Sequence, residues 1–158
     1  MRDQAVRLIA KELQLELSSA SRTLHFHGES MRPFLVEGDA VVVALVKWDE
    51  IRTGDVVTYR VDEKFPTRRV VGRSRNGLFL WCENWPERRF FSAREDLLGL
   101  VVARKRDGVW ITGRDPEWSA ARRNALSAYW RRYALAVSLD AVRRAVLKLA
   151  RLAGLRNP

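Results

Sequence analysis

The sequence predicts a mainly β fold: a small, partly closed antiparallel β domain, preceded by a short helix and followed by a basic amphipathic helical extension. Three observations carry this. Six strand-like runs (residues 23–27, 40–46, 55–61, 68–73, 78–82 and 98–104) recur at short intervals and are separated by Gly, Asp and Asn turns. No helical periodicity intervenes between them, which favours an antiparallel meander closing on itself over an α/β arrangement. Asn76-Gly77 joins two of the runs and is a strong hairpin signal.

The flanking elements follow from a different period. Within residues 1–21, Val6, Ile9, Ala10, Leu13 and Leu17 recur at helical spacing, with Arg7, Lys11, Glu12 and Glu16 on the other side. Residues 22–114 form the β domain. The extension, residues 115–158, opens on Asp115-Pro116-Glu117, a capping acid, a proline suited to the first helical position and an acid in the first turn. Leu135, Leu139, Val142, Val146, Leu149 and Ala153 then make one narrow stripe at steps of four and three, with Arg144, Lys148 and Arg151 opposite. No Gly or Pro interrupts the segment before Gly154, so one long helix and two folded helices are both allowed.

Composition narrows the classes of function. A chain of 158 residues, 47% apolar, buries one ordinary core and is not disordered. Its net charge of +10 is uneven: residues 1–118 hold 20 Lys and Arg against 18 Asp and Glu, and residues 119–158 hold 9 against Asp140 alone. The basicity belongs to the extension, where an anionic surface is the natural partner and a solvated face the plain alternative. Cys82 is the only cysteine, which rules out an internal disulfide and leaves no cysteine zinc site. No apolar run is long enough to cross a bilayer. Without a secretion signal the expected location is cytoplasmic, with peripheral membrane association as an option. No metal and no cofactor is implied.

The chemistry lies in residues 27–39, His-Gly-Glu-Ser-Met-Arg-Pro-Phe-Leu-Val-Glu-Gly-Asp. Within it Ser30-Met31-Arg32-Pro33 is followed by Gly38-Asp39 and a valine run. Gly54-Asp55-Val56-Val57, then Arg68-Arg69-Val70-Val71-Gly72, and finally Leu98-Gly99-Leu100-Val101-Val102-Ala103 come in order after it. In this order and spacing, residues 23–104 resemble the signal peptidase I and SOS-repressor superfamily of serine peptidases. The resemblance implies the β fold of those peptidases, Ser30 as nucleophile, and a lysine or histidine base at the position occupied by Arg68. It also implies an oxyanion held by the backbone N–H of Ser30, aided in some members by a hydroxyl two residues earlier, where this chain has Gly28.

Arg68 is a departure with chemical consequences. A serine hydroxyl becomes a good nucleophile only when a base takes its proton, and a guanidinium stays protonated throughout the accessible pH range. Arg68 is therefore a donor and not a base. His27, three residues before Ser30 and on the same strand face as His25, is the substitute candidate; Lys64 is separated from residue 68 by Pro66. The family's Gly-Asp after the base-bearing hairpin is replaced by Cys82-Glu83-Asn84. Glu83 orients a polar partner, pairs with Arg68 or is simply solvated, and with Met31 it is the candidate substrate-binding residue. Cys82 and the tryptophans Trp81, Trp85, Trp110, Trp118 and Trp130 read first as core and edge packing.

Two functions of different class follow. One is a signal-peptidase-like serine endopeptidase acting through an acyl-enzyme on Ser30. The other is a catalytically inactive relative that binds a peptide or partner protein through the same groove. The family's membrane anchors precede the serine, and residues 1–29 have room only for the amphipathic helix, so membrane attachment is expected to be peripheral. Either the C-terminal stripe enters an anionic membrane interface, or it packs on the β domain. Nucleic acid ranks behind, because residues 1–21 are too short for a helix-turn-helix domain.

Overall fold

The structure is a computed structural model that describes residues 21–152. The helix expected over residues 1–21 lies, except for Ser21, outside them. The described residues form eight strands and one long helix: β1 (Ser21–His25), β2 (Ala40–Ala44), β3 (Val56–Tyr59), β4 (Thr67–Arg73), β5 (Gly77–Trp81), β6 (Arg89–Ala93), β7 (Leu97–Arg106), β8 (Val109–Thr112) and α1 (Pro116–Leu152).

All pairings are antiparallel, in the order β1-β2-β7-β3-β4-β5-β6, with β8 also on β7. β7 is the spine of the sheet. One edge pairs with β2, and the other takes β3 near Leu100 and β8 near Ala103. The expected partial closure does not occur: the path ends at β1 and β6, each paired with one named strand. Arg22 and His25 on β1 and Arg89 on β6 are exposed, the kind of charged edge that resists further pairing.

Two strands, β6 and β8, were not anticipated from the sequence. The signal for β8 was present, since Asp107-Gly108 joins β7 to β8 with φ of 50° and 84°, the backbone that the favoured two-residue hairpin turn needs. β6 alternates in burial, but with Phe91 outward and Ser92 buried, so its apolar residues do not mark the inward face. The hairpin at Asn76-Gly77 is present, but Gly77 begins β5 and the turn falls at Arg75-Asn76, closed by the Ser74 N–H donating to the Gly77 carbonyl at 2.9 Å.

The valine run of β2 is buried on both faces. Val41 and Val43 join a cluster with Met31, Phe34, Leu35, Val56 and Trp118, while Val42 and Ala44 meet Val102 and Ala103. A third region packs Ile51, Val57, Tyr59, Val70, Leu78 and Leu80. Each such side chain contributes about 1.5–3 kcal/mol on leaving water.

Within the described residues the extension is one continuous helix, Pro116–Leu152, so that of the two arrangements the sequence allowed, one helix is found there. Pro116 is its first residue, as expected. Asp115 points backward instead of capping it: Oδ2 accepts the Thr112 N–H at 2.6 Å and the Thr112 hydroxyl at 2.9 Å. The chain divides into two compact units, Met1–Leu126 and Ser127–Pro158, so the first turns of α1 belong with the sheet. There Trp118 meets Phe34 edge-on, ring centres 4.8 Å apart. Within the second unit Tyr129, Trp130 and Tyr133 form a ring cluster, and Leu135, Leu139, Val142 and Val146 are exposed.

Candidate functional site

Ser30 opens a compact turn between β1 and β2. Its apolar neighbours explain why the turn holds its shape: Met31, Phe34 and Leu35 are buried and pull it onto β2 and β3. The Leu35 N–H donates to the Met31 carbonyl at 2.9 Å, the Arg32–Pro33 peptide is cis, and Phe26 and Asp39 close the base of the loop at 2.8 Å.

Polar straps hold it from three sides. Asp39 accepts the Val36 N–H at 3.0 Å and pairs with Arg106 of β7 at 2.7 Å; Arg106 also donates to the Phe34 carbonyl at 3.0 Å. Burial alone would raise the Asp39 carboxyl, but the Arg106 hydrogen bonds and the Val36 amide outweigh it and hold it below the usual range. At the other end, Glu37 accepts from the Gly28 N–H and contacts His27 Nδ1 at 2.7 Å. The Gly28 amide, followed by the His27 contact, lowers the Glu37 carboxyl. From the β5–β6 loop, the Asn84 N–H donates to the Ser30 carbonyl at 3.2 Å.

Ser30 is 6% exposed, and the side chain brought to it is Arg68 of β4, 38 residues along the chain. Arg68 Nη1 donates to Ser30 Oγ at 2.7 Å and to the Thr67 carbonyl at 2.7 Å. Its guanidinium lies 5.2 Å over the Phe90 ring, and its Nε is buried with no partner. Its charge is also felt at Tyr59 and Cys82, in each of which burial raises the pKa while Arg68 opposes the rise. Cys82 is thus a buried protonated thiol, a core residue and not a nucleophile.

The neighbouring Arg69 has a different environment. It is fully buried, with Nε 2.5 Å from Glu83 Oε1, Nη1 2.6 Å from the Gly54 carbonyl, and its guanidinium 4.7 Å over Phe34. Glu83 therefore pairs with Arg69, not Arg68, and its side chain is withdrawn from solvent. Burial raises its carboxyl, with the Arg69 charge acting against that rise.

The other expected residues are dispersed. Met31 is wholly buried and packs in the cluster beneath the turn. His27 is 77% exposed at its side chain and is held by Glu37; among the described residues no hydrogen bond joins it to Ser30. Lys64 lies exposed at the β3–β4 hairpin tip, its backbone bridged to Val61. Among the described residues no group of His, Cys, Asp and Glu is arranged to hold a metal ion.

Reading the sequence missed Glu37, Arg106 and the Arg69–Glu83 pair. The Gly-Asp motifs carried a partial signal. In each the aspartate accepts the N–H three residues back, Val36 for Asp39 and Arg52 for Asp55, whereas its arginine partner comes from a distant element. No protein-family model matches the sequence, and no curated protein matches it.

Proposed function

We propose that this chain is a non-cleaving relative of signal-peptidase-like serine peptidases, binding a peptide or partner segment where such an enzyme would cut. One observation carries this: Ser30 Oγ accepts a 2.7 Å hydrogen bond from a guanidinium. Arg68 has no lone pair with which to take the serine proton, and its donated bond draws electron density away from the oxygen that would attack. The competing reading, an active endopeptidase acting through Ser30, draws on the same placement of residue 68 beside the serine.

A serine-directed acylating probe and a broad peptide library separate the two. Wild type should neither label nor cleave. Arg68→Lys or Arg68→His should gain labelling that Ser30→Ala in the same background removes, because either replacement supplies a group able to lose its proton. Wild-type cleavage abolished by Ser30→Ala would overturn the non-cleaving reading.

We also propose a location for this work, the surface of an anionic membrane, reached through the second unit. Its exposed stripe of Leu135, Leu139, Val142 and Val146 shares a helix with the exposed Arg131, Arg132, Arg143 and Arg144, against Asp140 alone over the same stretch. Apolar residues entering an interface while cations meet the headgroups is the chemistry of a helix lying in the membrane plane. No described helix is long and apolar enough to cross a membrane.

A further inference from the structure

The buried and half-buried arginines of the described residues have a common habit with one exception. Arg69 pairs with Glu83, Arg104 with Glu117, Arg106 with Asp39 and Arg122 with Asp55. Arg68, half-buried like Arg106 and Arg122, faces a hydroxyl, a carbonyl and an aromatic ring, and among the described residues no carboxylate pairs with it. A cation partly removed from water without a counter-charge is costly, and an anionic ligand relieves that cost on binding.

We infer that Arg68 and Ser30 together form a receptor for a peptide's C-terminal carboxylate. The inference rests on the non-cleaving reading above and names the ligand class of that site. The Ser30 oxygen already accepts from Arg68, so its own proton is free to donate. Both protons of Arg68 Nη1 are engaged, by Ser30 Oγ and the Thr67 carbonyl, and Nε is buried, so the Ser30 hydroxyl and Nη2 are the donors left for the two oxygens of a carboxylate. In an enzyme the scissile carbonyl would lie beside the serine; here a chain that ends at that point places its terminal carboxylate against Arg68. A neutral amide in the same position would forgo the charge-assisted bonds. The site then accepts peptides already cut and does no cutting itself.

The test uses the full chain on an array of N-terminally tethered octapeptides, each made once with a free C-terminal carboxylate and once as the C-terminal amide. Side-chain carboxylates are the same in both arms, so they cancel. The expected result is binding to a subset of free acids, with at least tenfold weaker binding to the matching amides. Arg68→Gln should bring the acids down to the amide level, and Arg68→Lys should retain part of the preference. The acid–amide contrast in wild type needs no variant and so does not depend on how a substitution folds. Equal binding of acid and amide, or an acid preference surviving in Arg68→Gln, would overturn the carboxylate receptor and leave peptide binding standing. Binding to neither arm, or cleavage of the array by wild type, would overturn the non-cleaving peptide-binding reading and this inference with it.

Discussion

Arg68 and Arg69 are neighbours on one strand, and their side chains leave it on opposite faces. Arg69 meets a buried carboxylate, whereas Arg68 meets the serine hydroxyl of the proposed site. Asp39 is the third residue on which the site depends, because through Arg106 it ties the serine loop to β7. Asp39→Asn should cost about 1.5–3 kcal/mol at neutral pH, the usual range for hydrogen bonds to charged groups. The pH dependence has a definite sign. Since the folded carboxyl lies below its ordinary 3.8, its contribution is present above that value and is lost as pH falls through the lowered folded value. Asp55 and Glu83, raised by burial, act in the opposite sense. Denaturant melts of wild type and Asp39→Asn, compared from neutral pH downward, should therefore converge at acid pH; a constant gap would contradict this role.

Among elements, the turn after β2 shows how a local motif becomes a tertiary joint. Gly54 has φ of 96°, and a Cβ there would stand 2.5 Å from Arg122 Nε and 2.9 Å from a Leu126 methyl. Arg122 in turn donates to the Thr53 carbonyl at 2.6 Å. Gly28 has almost the same φ, 97°, with nothing within 4 Å of such a Cβ. Gly28→Ala should thus incur backbone strain alone, about 1–3 kcal/mol, and Gly54→Ala that strain plus displacement of the Arg122 and Leu126 side chains of α1. Thermal unfolding should rank Gly54→Ala below Gly28→Ala; equal melting would mean that Arg122 and Leu126 yield without cost. Legibility at this scale follows burial. β2 and β5 were readable because their apolar runs are continuous, whereas β6 turns Ser92 inward and Phe91 outward, the reverse of the polar-out pattern a sequence reading looks for.

For the molecule as a whole, charge and exposed apolar surface coincide on the second unit. Flotation should recover the chain with vesicles containing phosphatidylglycerol at low salt and much less with pure phosphatidylcholine. The anionic arm should weaken at high salt, because the screening length falls from about 10 Å at 0.1 M to about 3 Å at 1 M. Leu139→Asp, at a position 69% exposed, should reduce binding at both salts while leaving the melting of the sheet unit unchanged. Failure to float at low salt would remove the membrane from the proposal.

Six of the eight strands, the helical period after Pro116, and Ser30 and residue 68 as candidate positions were legible in the sequence, because period, turn chemistry and motif order are properties of near neighbours in the chain; β6, β8 and the choice between one helix and two were not. Folding alone sets that the sheet stays open, that Met31 is buried, that Glu83 belongs to Arg69, and that Arg68 faces Ser30 with no carboxylate beside it among the described residues. Those outcomes depend on partners 14, 38 and 67 residues away, for Arg69–Glu83, Ser30–Arg68 and Asp39–Arg106, brought together by strand register and shared burial. A charge finds its counter-charge by geometry, and that geometry does not exist until the chain has folded.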